Sequence, residues 1–239
     1  MSTDCNILAI DTAWAACSVA FARPNGRAVT RHEPMTSGHA ERLFPLMQEV
    51  LDEATATFAD VEAIAVTVGP GSFTGVRVGV AAARGLALAA KLPTLGATSL
   101  APMARLAAKA LHGSSEAMAS APGITVLQDA RRGNAFVQEF DASGRNPLSE
   151  ARIIPVDELE AELATTDKPA FAGSAVELLR ETAPALLANR AVVALEPSMA
   201  TAGALIEVEL EKMHPIKPLY LRAPDAKPQD GKSLLRQRS

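Results

Sequence analysis

A strand that runs through a glycine turn into a long helix with one ridge almost bare of side chains is the feature that most constrains this chain. The segment is Val66-Thr-Val-Gly-Pro-Gly-Ser-Phe-Thr-Gly-Val-Arg77, and its helix is expected over Ser72 to Lys91. Gly75, Gly79, Ala83 and Ala87 recur every four residues and form one ridge without bulk, with Gly85 nearby. Each helical glycine costs roughly 0.8–1 kcal/mol against alanine. Close approach of another backbone offsets such a cost, and that backbone belongs either to the chain's own sheet or to a partner. Val76, Val78, Val80, Leu86 and Leu88 make the helix apolar almost all round, so one side can face the sheet while another is left over. A protein partner on the ridge is therefore the reading adopted. On that reading Gly79→Leu abolishes partner binding and leaves the monomer folded.

The glycine turn is no Walker loop, because no lysine follows Gly75. It is no dinucleotide fingerprint either, because Thr74 stands at the third glycine position. A helix start of this kind suits an anion, or is simply a tight turn capped by Ser72. Around it the pattern gives strands at Asn6 to Ile10, Cys17 to Ala22 and Arg27 to His32, an opening antiparallel meander. Leu43, Leu46, Met47, Val50, Leu51 and Ala54 then mark an amphipathic helix with Pro45 inside its stripe. Strands at Ala63 to Val68 and Thr94 to Ala97 and a helix at Leu100 to Leu111 complete a first lobe, 1–112. Gly113 to Gly123 is the linker candidate. Strands at Ile124 to Gln128 and Ala135 to Phe140, a helix at Val156 to Ala164, a strand at Ala170 to Ala172, a helix at Ala175 to Thr182, a strand near Val192 and a helix at Ala200 to Met213 repeat the order loosely in a second lobe, 121–214.

The remainder, 215–239, is an extended basic tail: Lys217, Arg222, Lys227, Lys232, Arg236 and Arg238 outweigh Asp225 and Asp230. The whole chain carries a net charge of −4, which argues against a body that grips a nucleic-acid backbone by itself. Cys5 and Cys17, the only cysteines, form no CxxC, so neither a disulfide framework nor a zinc knuckle is on offer and a reduced, cytoplasmic compartment is expected. No signal peptide and no membrane helix is expected, since the most apolar helix carries Arg77 and Arg84. His32, His39, His112 and His214 lack metal-ligand spacing, and no nucleophile–base set is visible. Asp11 and Thr12 end the first strand where a carboxylate could hold a metal-nucleotide. With Gly69, Gly71 and Ser72 they form the expected nucleotide or phosphate contact, no metal ligand being named.

Taken together, Ile7-Leu-Ala-Ile-Asp-Thr-Ala13, Ala16-Cys-Ser-Val-Ala20, His39-Ala-Glu-Arg-Leu43, Gly69-Pro-Gly-Ser-Phe-Thr-Gly-Val-Arg77, Asp129-Ala-Arg131 and Pro218-Leu-Tyr-Leu-Arg222 resemble the bacterial TsaB (YeaZ) family over nearly the whole chain. The resemblance implies a two-lobed actin-like ATPase fold of the sugar kinase and actin superfamily, an α/β fold with a mixed sheet flanked by helices in each lobe. It implies a role in forming N6-threonylcarbamoyladenosine at position 37 of tRNAs that read codons beginning with A. The implied role is that of a non-catalytic partner and scaffold for the paralogous transferase TsaD, together with the ATPase TsaE. tRNA is met through that complex, ATP and magnesium are used by the partners, no cofactor is held by this chain alone, and a homodimer forms when TsaD is absent. The metal-binding HxxxH of TsaD is replaced here by Ser99 and Met103. The implied partner interface is Leu43, Leu46, Met47 and Val50 of one helix with Gly75, Gly79, Ala83 and Ala87 of the next. The rival reading is a small-molecule or sugar kinase of the same fold, using Asp11, Thr12 and the glycine turn for ATP.

Overall fold

Residues that alternate sides along each strand give the first sheet two apolar faces. In β1 (Ile7–Asp11), Leu8 and Ile10 enter one core cluster while Ile7 and Ala9 enter another. The computed structural model that shows this describes residues 5–24, 26–112, 123–164, 166, 170–188, 190–196, 201–208 and 216–222. β2 (Ala16–Ala22) pairs antiparallel with β1 and with β3 (Val29–Pro34), whereas β4 (Ala63–Thr67) and β5 (Thr94–Ala97) add in parallel, so the order is β3-β2-β1-β4-β5. The second half repeats this plan. β6 (Ile124–Arg131), β7 (Asn134–Phe140) and β8 (Arg152–Pro155) make the meander, β9 (Ala170–Ala172) and β10 (Ala191–Val193) the parallel extension, in the order β8-β7-β6-β9-β10. Two mixed sheets of one topology, each flanked by helices, are the two-lobed actin-like arrangement.

The outer face of the first sheet is covered by α1 (His39–Glu53) and α2 (Phe73–Ala90), and that of the second by the shorter α4 (Leu159–Ala164), α5 (Val176–Thr182) and α6 (Pro184–Leu187). Between the sheets lie two helices that have changed sides. α3 (Leu100–His112) follows β5 yet packs on β6, β7, β9 and β10, and α7 (Thr201–Leu205) follows the second sheet yet packs on β1 to β4. This shared layer is largely alanine, including Ala9, Ala20, Ala65, Ala104, Ala107 and Ala202, because two helices squeezed between two sheets leave room for little more than a methyl group. The scarcity of aromatics, 4% of the chain, follows from the same geometry. Polar groups also span the lobes: Thr98 Oγ1 donates to Gln138 Oε1 at 2.6 Å, and Arg105 Nε donates to Glu207 Oε2 at 2.8 Å.

Most expected elements are present within a residue or two. The last helix, expected over Ala200 to Met213, is described only as α7, since residues 200 and 209–213 lie outside the described residues. It packs on the first sheet, so within the stretch 121–214 the segment Thr201–Leu205 lies against the first lobe. The expected linker falls almost wholly on 113–122 and most of the basic tail on 223–239, both outside the described residues. β8 and α6 were not anticipated: the first offers only Ile153 and Ile154 as strand signal, and the second is a single turn started by Pro184. Residues 216–222 are not a free tail. Leu219 N donates to Val68 O at 2.7 Å, Arg84 Nε donates to Ile216 O at 2.8 Å, and Arg222 Nη2 donates to Arg131 O at 3.0 Å, so this strap runs along α2 and ends on the second lobe.

Candidate interaction face and interlobe cleft

The bare ridge of α2 faces inward. A Cβ on Gly75 would overlap the carbonyl of Thr12, and one on Gly79 would lie 2.6 Å from Thr12 Oγ1, while Ala83 is fully buried and Ala87 half-buried. Thr12 Oγ1 donates to Gly75 O at 2.7 Å, which fastens the helix to the end of β1. Leu43, Leu46, Met47 and Val50 are likewise buried, among Leu8, Ile10, Val19 and Phe21. These eight residues therefore hold the first lobe together, and the assignment of a partner interface to them is corrected. The physical reason is that glycine spacing reports a close approach without saying whose backbone approaches.

A second face of α2 remains, as its all-round apolarity requires. Leu88 is 84% exposed, Phe73 44% and, on α1, Phe44 49%. Ala81, Gly85 and Ala89 are exposed between them, and a Cβ on Gly85 would meet nothing within 4 Å. Gly85 is thus the helical glycine whose cost nothing among the described residues offsets. By length and composition α2 could cross a bilayer, with a mean hydropathy of 1.3 over 18 residues, but its Gly75, Val76, Gly79, Val80 and Ala83 are the inner wall of a sheet-backed lobe. At its N-terminal end Arg77 lies 3.5 Å above the Phe73 ring and donates to Tyr220 Oη at 2.8 Å, so the strap borders this face. On α1, Arg42 donates to Glu33 at 2.6 Å and to Glu49 at 2.8 Å, tying the helix to β3 and holding both carboxyls below the usual range.

The expected nucleotide residues are spent on structure. The carboxylate of Asp11, 2% exposed, accepts from Ala13 N at 2.9 Å, Thr67 Oγ1 at 2.6 Å and Thr201 Oγ1 of α7. Thr12 is bonded to α2 and buried. A magnesium-nucleotide does not fit at this pair, since three donors of the chain itself, one of them on α7, already occupy the buried Asp11 carboxylate. Gly69, at φ +103°, holds its turn against the strap, where a Cβ would lie 2.8 Å from Leu219 O; a Cβ on Gly71 would overlap Ala13 O. Ser72 accepts from Gly75 N at 3.3 Å as the cap of α2. Ser99 donates to Pro70 O and Met103 is fully buried, so neither is free to bind a ligand. Among the described residues no group of three His, Cys, Asp or Glu side chains is placed to hold a metal. Burial, with Glu33 and Asp11 adding to it, pushes the Cys17 thiol up to about 12, which makes it inert.

Between the lobes lies an open cleft of about 860 Å³. Gly71, Ser72 and Phe73 line it, together with Trp14 and His39, neither of which sequence reasoning had placed in a site. Trp14 is the only tryptophan and follows directly on the Asp11-Thr12-Ala13 turn, a signal that could have drawn attention to it.

A repeated five-strand topology with a shared helical layer and a central cleft defines an actin-like protein of two lobes. The family model described as "TsaD: tRNA N6-adenosine threonylcarbamoyltransferase" matches residues 33–214. The tRNA threonylcarbamoyladenosine biosynthesis protein TsaB of Escherichia coli is 39% identical over 134 residues, which make up 56% of this chain and 54% of that protein, so the match spans about half of this curated relative. An uncharacterized protein of Mycobacterium tuberculosis is 31% identical over 226 residues, 93% of this chain and 94% of that one. The solved structure of YeaZ from Pseudomonas aeruginosa superposes with a TM-score of 0.71 at 27% identity, covering 91% of this chain and 100% of that chain. The chain belongs to the TsaD-type family, in its TsaB (YeaZ) branch.

Proposed function

We propose that this chain acts in tRNA threonylcarbamoyladenosine biosynthesis as the non-catalytic partner of a TsaD-type transferase, docking through the outer face of α2 and the neighbouring Phe44 of α1. The modified position is nucleotide 37 of tRNAs that read ANN codons, and the setting is the cytoplasm. A TsaE-type ATPase joins the same complex, tRNA is met through the complex, and ATP with magnesium is used by the partners. The observation that carries the reading is Leu88 at 84% exposure beside Gly85 in open space, on an 18-residue helix whose opposite side is already packed. Exposed apolar side chains of this kind mark a protein contact, and a helical glycine facing outward lets a second backbone come close. The engagement of Asp11 by three donors supports a supporting role over a kinase. Binding would favour the competent conformation of the transferase, a population shift without new chemistry here.

The test is co-expression with the transferase and sizing of the complex. Leu88→Glu and Gly85→Leu are each expected to abolish co-elution and tRNA modification while leaving the isolated chain folded. In the absence of the transferase the same face closes a homodimer, so both variants elute as monomers. An unchanged complex with either variant overturns the docking face.

A further inference from the structure

The only charged residues of α2 are Arg77 and Arg84, and the strap takes hold of both. Arg77 Nε donates to Tyr220 Oη at 2.8 Å while its guanidinium lies 3.5 Å above the Phe73 ring, and Arg84 Nε donates to Ile216 O at 2.8 Å. The strap is itself fastened to the first lobe. Leu219 N donates to Val68 O at 2.7 Å, and the rings of Phe73 and Tyr220 lie 5.3 Å apart. In both arginines only Nε is spent. Their side chains are exposed, and their Nη groups make no hydrogen bond or ion pair with any described residue. Arg31, Arg42, Arg105 and Arg180, by contrast, each meet a glutamate of this chain.

Arg77 and Arg84 stand seven residues apart, two helical turns or about 10 Å, and fall within about 40° of Leu88 around the helix axis. They therefore border the apolar surface that the docking reading assigns to the partner. A guanidinium stays charged, and a charge stripped of water without an acceptor is costly, so whatever covers this face has to supply acceptors. Carboxylates match the two-pronged Nη edge. A phosphate backbone is the poorer match: two cations beside Leu88, in a chain of net charge −4, are not the basic stripe that nucleic acid requires.

We propose that Arg77 and Arg84, each fixed at Nε by the strap, are anchors for two carboxylates spaced about two helical turns apart on the TsaD-type partner. The strap is thereby a positioning element of the docking face. This inference rests on the docking reading above.

The test is titration of the full chain with the purified transferase at low and high sodium chloride, with thermal unfolding to show that each variant is folded. Arg77→Gln and Arg84→Gln should each weaken binding roughly tenfold at low salt and flatten its salt dependence. Tyr220→Phe keeps every charge but releases Arg77, and should weaken binding about threefold through lost preorganisation. Lys91→Gln makes the same change of charge just past the end of α2, away from the strap's hydrogen bonds, and should bind as the native chain does. Native affinity in both arginine variants, native affinity in Tyr220→Phe, an equal loss in Lys91→Gln, or a loss seen with tRNA alone and not with the transferase overturns the proposal. Leu88→Glu separates the two readings. If it abolishes the complex while the arginine variants bind normally, the anchors fall alone; if all three bind normally, the docking face falls with them.

Discussion

The two lobes share one strand order and differ in what covers them. The first is roofed by helices of 15 and 18 residues, the second by helices of 6, 7 and 4. The roof of the second lobe is spent on its own sheet through Leu159, Leu163, Val176 and Leu179, and its outer side carries charge, as in the Glu177–Arg180 pair. The roof of the first lobe does the same with its inner side and still has Phe44, Phe73 and Leu88 to spare. The comparison teaches that duplication of a fold duplicates its interior, while the exterior is free to specialise. Length matters here: a helix of four or more turns has a complete second face, and a helix of two turns does not.

The comparison can be broken most forcefully at Gly79. Gly79→Leu forces a side chain into Thr12 and Val66 and should lower stability by about 3 kcal/mol, read as a lower denaturant midpoint. An unchanged midpoint in Gly79→Leu would restore the outward ridge rejected above. Next comes Thr201→Val, which strips a donor from the buried Asp11 carboxylate and should cost about 1–3 kcal/mol. Thermal unfolding checks it, at about 2–4 °C per kcal/mol for a chain of this size, and an unchanged Tm would mean that α7 does not hold Asp11. Arg42→Ala has a smaller effect, and one that depends on pH. Glu33 and Glu49 have lowered pKa values in the folded state, so their pairing with Arg42 adds stability above the ordinary carboxylate value of about 4.3 and loses it as pH falls through the lowered ones. Unfolding curves of the native chain and of Arg42→Ala should therefore differ at pH 7 and converge in acid. Least of all, Leu88→Glu should leave stability within about 0.5 kcal/mol, because the side chain touches little in the isolated chain. A large loss there would show that the outer face of α2 is part of the core.

Much of the fold was legible because strand periodicity and glycine turns are local signals. β1, β4, β5 and α3 emerge from runs such as Ile7 to Ile10 and Leu100 to Leu111 without reference to the rest of the chain. The exchange of α3 and α7 between lobes was not, since the partner of a helix lies far away in sequence: Thr201 meets Asp11 across 190 positions. The outer face of α2 was half legible. The apolar character of α2 announced two apolar sides, of which the structure packs one, and Gly75 and Gly79 lie on that packed side. Gly85, passed over as a bystander, is the glycine with open space before it. His39 escaped notice because it is unremarkable among its sequence neighbours, and it joins Trp14 in lining the cleft only once distant segments are brought together.

The crossed helices also bear on how the chain is made. One side of the first sheet stays uncovered until α7 and the strap arrive, so a ribosome must deliver residues beyond 200 before residues 7 to 22 can be sealed from water. Contacts that span so much chain slow folding, and in the interval the alanine-lined side of β1, β2 and β4 is exposed to chaperones and to neighbouring nascent chains. A fragment ended after β10 would carry that bare surface permanently, and aggregation, rather than a smaller folded lobe, is what such a fragment should yield.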